Sequence, residues 1–185
     1  MSLSADRVHQ SLIAYLPNLR AFAIALCRDT DRADDLVQET MLNAWKGIDS
    51  FKQGTNLRAW LFTILRNTYF SQCRKRRREV LDDPAVYIDR LSVPPAQQGS
   101  VDARDLANAL AQLSEEQREA LLLVAAEGFA YEEAAVICNC PIGTIKSRVN
   151  RARHQLAELL GVNTSAEFGP EPMTQAILVR GLDRR

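Results

Sequence analysis

The 185-residue chain is poor in histidine and in the motifs that enzymes depend on. Its two histidines, His9 and His154, are far apart in sequence, and there is no glycine-rich phosphate loop and no strand-turn-helix nucleophile motif. The carboxylates fall on helix faces that read as exposed, so no catalytic centre is expected. No apolar run approaches the roughly 20 residues of a membrane span. The longest candidate, Ala21–Leu26, is cut short by Arg28. Nowhere do β-branched or aromatic side chains alternate with polar ones over the length of a strand, which argues against a sheet. The four cysteines, at positions 27, 73, 138 and 140, lack the spacing of a disulfide framework, and no signal peptide precedes them. A reducing compartment, hence the cytoplasm, is expected.

What remains is helix. Apolar residues recur at helical spacing through most of the chain, so the expected fold is all-α, with two small helical domains joined by a flexible linker. The first domain, residues 5–80, carries a helix to Tyr15, a second entered at Pro17 and ending near Cys27, a third capped by Asp31, and a fourth that starts at Asn56 and continues through Arg78. Proline fits a first turn because that N–H has no partner within the helix. The polar connection Ile48–Asn56 contains Gly54 and ends on a good capping residue. Residues 81–102 include Asp82-Asp83-Pro84, Pro94-Pro95 and Gln97–Ser100, which break any helical pattern and read as linker. In the second domain, residues 103–161, Ser114-Glu-Glu-Gln117 has the capping-box pattern and Gly128 closes the helix that follows. Two further helices are expected, Tyr131 to Cys138 and Ile142 to about Leu160, with Gly161 as a stop. Residues 162–185 read as a tail.

The formal charges balance, 23 Lys and Arg against 23 Asp and Glu, yet they are segregated. Arg66–Arg78 and Lys146–Arg153 are basic and Asp29–Glu39 is acidic, which suggests one surface for an anionic polymer and another for a cationic partner. The stretch around Cys138-Asn139-Cys140 has the features of a helix-turn-helix corner. Asn139 tolerates the positive φ of the stop, Ala135 is small where two helices approach, and the flanking thiols act as small hydrophobes. Two thiols with no further ligand nearby make at most half a zinc site, so no metal and no cofactor are expected. On the next helix Ile145, Val149, Ala152 and Leu156 form the inward stripe, leaving Lys146, Ser147, Asn150 and Arg151 outside. Arg and Lys suit guanine or phosphate, Asn suits adenine, and Ser suits either. A merely solvated face would include acids, and Pro141–Gln155 contains none.

Three motifs together are far more specific: DDLVQET (34–40), LRAWLFTILRN (57–67) and PIGTIKSR (141–148). Their combination resembles the extracytoplasmic-function sigma factors, two-domain initiation subunits of bacterial RNA polymerase, and in overall texture the alphaproteobacterial general-stress-response branch. The resemblance implies a region 2 helical bundle, a region 4 helix-turn-helix, and three partners: core RNA polymerase, promoter DNA and a small anti-sigma factor. It implies that Asp34, Asp35, Gln38 and Glu39 bind the clamp helices of the polymerase β′ subunit, although acids near a helix N-terminus also serve its dipole. It further implies that Gln53, Thr55 and Asn56, with Asn67 and Ser71, hold a flipped base of the −10 element, while Arg74, Arg76 and Arg77 meet phosphates. Trp60 is expected to face the core rather than stack on that base. In the −35 major groove it places Lys146, Ser147, Asn150 and Arg151, with Thr144, Arg148 and Arg153 nearer the backbone. A −35 element like GGAAC and a −10 element near CGTT follow from the subgroup alone. Two rival functions share some of these features. A dimeric helix-turn-helix regulator would bind a palindrome without polymerase, and a sigma-like decoy would bind only the anti-sigma factor.

Overall fold

The computed structural model describes residues 11–52, 54–82 and 101–161, and the chain divides into two compact units, Met1–Pro94 and Pro95–Arg185. In the first unit residues 11–14 are helical and Leu12 is buried. Helix α1 (Leu16–Cys27) follows, with Pro17 in its first turn. It stops at Arg28, whose backbone is left-handed at φ 59° and whose N–H donates to the Ile24 carbonyl at 2.8 Å. The next helix, α2 (Thr30–Lys46), is capped by Asp29 and not by the expected Asp31. The Asp29 carboxylate accepts the Arg32 N–H at 3.0 Å. A cap needs an extended backbone, which Asp29 has (φ −148°, ψ 124°), while Asp31 already lies in the first helical turn and there complements the dipole.

A 3₁₀ turn, Ile48–Ser50, leads by a short loop into α3 (Leu57–Asp82). Asn56 caps this helix as expected, accepting the Ala59 N–H at 3.0 Å. Helix α2 packs on both α1 and α3. The buried residues Leu19, Phe22 and Leu26 of α1, Leu36 and Ala44 of α2, and Leu61, Phe62 and Leu65 of α3 form the core. Phe22 meets Phe62 edge-on with ring centres 5.1 Å apart. Each large side chain so buried contributes about 1.5–3 kcal/mol, which is what fixes α2 and α3 as supports for the surfaces they carry.

The second unit begins with α4 (Val101–Gln112) and α5 (Glu115–Leu121). The capping box is present in both directions: Gln117 N–H donates to Ser114 Oγ and Ser114 N–H donates to Gln117 Oε1, each at 3.2 Å. Past Leu121 the helix widens into a π turn, Leu122–Ala126, in which Glu127 N–H bonds back to the Leu122 carbonyl. Leu121, Leu122 and Leu123 are all buried, and the wider turn takes up an additional residue before Gly128, at φ 68°, closes it. Helices α6 (Tyr131–Ile137) and α7 (Ile142–Leu159) complete the unit. No strand occurs among the described residues. Leu81 and Asp82 end α3 and Val101 and Asp102 open α4, while residues 83–100, Gln53 and the tail 162–185 lie outside the described residues.

Candidate nucleic-acid interface

The corner between α6 and α7 is built around Asn139, which sits at φ 48°. Cys138 N–H donates to the Ala134 carbonyl at 2.8 Å and Cys140 N–H to the Ala135 carbonyl at 3.1 Å, so the turn satisfies the last carbonyls of α6. Cys138 is buried and Cys140 half-buried, with the Arg148 guanidinium 3.9 Å from the Cys140 sulfur. The small residue enclosed at the corner is Ala134, not Ala135 as the sequence suggested. Ala135 is half-exposed, and its carbonyl, rather than its methyl group, serves the turn.

Beyond the corner, Ile145, Val149, Ala152 and Leu156 of α7 are all buried. Lys146, Ser147, Asn150 and Arg151 are all exposed, with Thr144 and Arg148 half-exposed on one flank and Arg153 on the other. Ser147 Oγ donates to the Thr144 carbonyl at 2.9 Å, which holds it close to the helix. Exposed His154, four residues after Asn150, extends the same face by a turn. Its i+4 spacing from Asn150 is the signal in the sequence that places it there, and its isolation from other metal ligands hides that role.

In the first unit, Asn67, Ser71 and Arg74 are exposed along one side of α3, and Arg77 is exposed nearby. Phe70 belongs to this side and carries the Arg66 guanidinium 4.8 Å above its ring, a cation–π pair at i, i+4 that the motif pattern does not single out. Arg76 turns the other way, its Nη2 lying 3.2 Å from the buried Cys73 sulfur, so it is not gathered with the others. Burial raises the Cys27 thiol to about 11 despite Arg32 and Arg76 nearby. In the loop, Thr55 Oγ1 donates to the Lys52 carbonyl at 2.7 Å and Asn56 is engaged as the cap of α3. Trp60 is half-buried against Phe51, ring centres 5.2 Å apart, as a packing residue.

Helix α2 presents Asp35 and Gln38 to solvent. Asp34 is held by Arg20 of α1 through two hydrogen bonds of 2.7 and 3.1 Å. Those bonds keep its carboxyl below the usual range and push the Arg20 guanidinium up. Glu39 accepts a 2.7 Å hydrogen bond from Gln72 of α3. The four residues expected to meet a basic partner therefore divide into an open pair and a tethered pair. Among the described residues, no three His, Cys, Asp or Glu side chains gather where they could hold a metal ion. No helix among them is long and apolar enough to cross a membrane.

A helix packed into its unit by a buried stripe behind a tight turn, with an outer face that from Ile142 to Gln155 offers hydrogen-bonding and cationic groups and no acid, is the arrangement of a helix-turn-helix DNA-binding protein. Residues 12–79 match Sigma-70 region 2 and residues 103–156 match Sigma-70, region 4. The chain belongs to the extracytoplasmic-function sigma factors, and so works with core RNA polymerase and promoter DNA in transcription initiation and is not an enzyme. It is 52% identical over 173 residues to the ECF RNA polymerase sigma factor EcfG of Rhodopseudomonas palustris (strain TIE-1), covering 94% of this chain and 96% of that one. It is 37% identical over 139 residues to the ECF sigma factor SigC of Mycobacterium tuberculosis (strain CDC 1551 / Oshkosh), 72% of each chain. Among solved structures it is similar to the sigma factor RpoE of Bartonella quintana in complex with the anti-sigma factor NepR. That match has 57% identity and a TM-score of 0.76, over 84% of this chain and 97% of that one. It also resembles CnrH in complex with the cytosolic domain of CnrY, at 27% identity and a TM-score of 0.61, over 85% and 89% of the two chains.

Proposed function

We propose that this sigma factor directs core polymerase to general-stress promoters in the cytoplasm and is held in check by a small anti-sigma protein. The observation that carries the promoter reading is the exposed face of α7, acid-free from Ile142 to Gln155, over a fully buried apolar stripe. Lys146, Ser147, Asn150 and Arg151 read base edges in the −35 major groove, and Thr144, Arg148 and Arg153 meet its backbone. Residues 11–82 contact the −10 element: Asn67 and Ser71 with the Gln53–Asn56 loop hold an extruded base, and Arg74 and Arg77 bind phosphate. Asp35 and Gln38, with Asp34 and Glu39 behind them, dock on a basic coiled coil of the polymerase. The anti-sigma reading is supported by the likeness to RpoE, whose structure contains NepR. A dimeric regulator is disfavoured because residues 12–79, where it would need a dimerisation or ligand domain, match Sigma-70 region 2 instead.

The test is in vitro transcription from a promoter library with purified core polymerase, with and without a NepR-like inhibitor. Initiation at promoters with GGAAC-like −35 elements, abolished by the inhibitor, is expected. Association with core that leaves the start sites unchanged would overturn the reading.

A further inference from the structure

Two polar rungs join α2 to α3. Asn43 Nδ2 donates to Thr68 Oγ1 at 3.4 Å, and Gln72 Nε2 donates to Glu39 Oε2 at 2.7 Å. Four residues back along α2 corresponds to four residues forward along α3, so the rungs lie one helical turn apart on antiparallel helices. Each rung residue on α3 directly follows a residue of the exposed face: Thr68 follows Asn67 and Gln72 follows Ser71. The rungs therefore tie α3 to α2 at the turns where Asn67 and Ser71 are presented, in addition to the apolar packing of its inner side. The stronger rung is the bond to a carboxylate, and that carboxylate sits on the helix proposed to meet the polymerase. Buried Leu65, Tyr69 and Cys73 set the rotation of α3, and the rungs tie its rim to α2.

We infer that Gln72 is a positioning residue that couples polymerase engagement to strand opening, by tying the Glu39 carboxylate to the face of α3 that carries Asn67 and Ser71. The inference rests on the proposed function. Gln72 uses one carboxylate oxygen, and the other stays available to a polymerase cation. A partner cation that pairs with the other oxygen of Glu39 restrains the carboxylate and, through the amide bonded to it, holds α3 in the orientation that offers Asn67 and Ser71 to an extruded base.

The test compares full-length wild type, Gln72→Leu, Glu39→Gln, and the exchange Glu39→Gln with Gln72→Glu, each at saturating core polymerase. Permanganate reactivity reads opening on a fully paired promoter and on one with a pre-melted −10 element. Gln72→Leu is expected to lower opening of the paired promoter about five-fold, the scale of one exposed charge-assisted hydrogen bond, and to leave the pre-melted promoter unaffected. The exchange rebuilds the bond in reverse and is expected to restore opening, although its core affinity stays low because the carboxylate has moved. Wild-type opening by Gln72→Leu, an equal loss on the pre-melted promoter, or an exchange as defective as the single change would each overturn the inference. If Gln72→Leu proves unstable by thermal melting, the exchange compared with Glu39→Gln alone decides the matter: restored opening supports the coupling and unrestored opening overturns it. A wild-type chain that never associates with core overturns the functional reading instead.

Discussion

Asn139 occupies the one left-handed position in the turn between α6 and α7, at φ 48°, exposed and without a glycine's freedom. Replacing it with alanine removes the short polar side chain that eases this conformation and keeps the Cβ that strains it, at a cost of about 1 kcal/mol. A β-branched valine should cost about 2 kcal/mol. Glycine relieves the strain but enlarges the freedom of the unfolded chain, so Asn139→Gly should fall within about 0.5 kcal/mol of wild type. For a domain of this size, about 1 kcal/mol corresponds to roughly 4–8 °C in melting temperature. The full-length protein contains its own control. Both tryptophans, Trp45 and Trp60, lie in the first unit, so tryptophan fluorescence follows that unit while far-ultraviolet circular dichroism follows both. The expected result is a dichroism transition that falls in the order Gly, Ala, Val at position 139, with an unmoved fluorescence transition. An alanine variant that melts with or above the glycine variant would refute the assignment of strain to this corner.

Arg151→Ala should weaken −35 binding by about 1–3 kcal/mol and relax discrimination at one base pair, measured by competition on single-base variants; equal loss on all sequences would reassign Arg151 to phosphate. Replacing Arg74 and Arg77 with glutamine should reduce affinity for all promoters alike and make the salt dependence shallower by about 1 to 2 in slope, read from binding across a salt series. The Arg20–Asp34 pair lowers the Asp34 carboxyl, so its stabilisation is complete above the ordinary carboxylate pKa and is lost as pH falls through the depressed value. Asp34→Asn should accordingly flatten the acid limb of stability, followed by denaturation across about pH 2–5, the range around the carboxylate pKa. Native Cys27, buried with its thiol near 11, should resist alkylation at pH 8, about three units lower, while half-exposed Cys140 reacts first, as peptide mapping would show.

The helices and the split of α7 into an inward stripe and an outer face were legible because periodicity depends on local spacing, and Ile145, Val149, Ala152 and Leu156 are unambiguous. Asn139 and the Ser114–Gln117 box were legible for the same reason, since their chemistry is local. The cap of α2 was not: Asp29 and Asp31 are chemically identical two residues apart, and the choice was made by the left-handed stop at Arg28. The π turn was hidden because a run such as Leu121–Ala126 fits either helical pitch. What sequence could least supply were the tethers of the acidic helix. Arg20 and Gln72 lie 14 and 33 residues from Asp34 and Glu39, and only the packing of α2 on its neighbours brings them together.

The π turn at Leu122–Ala126 makes the spacing of the second unit as informative as its composition. A chain shortened by one residue there would lose one apolar side chain but could close an ordinary helix, because the wider turn already holds the additional residue. Phe129 and every later residue would then keep their bearing, and the helix that meets DNA would still be aimed as before. A single-codon deletion at this bend should therefore be absorbed locally, whereas the same deletion inside α7 would turn every later residue of that helix by about 100°.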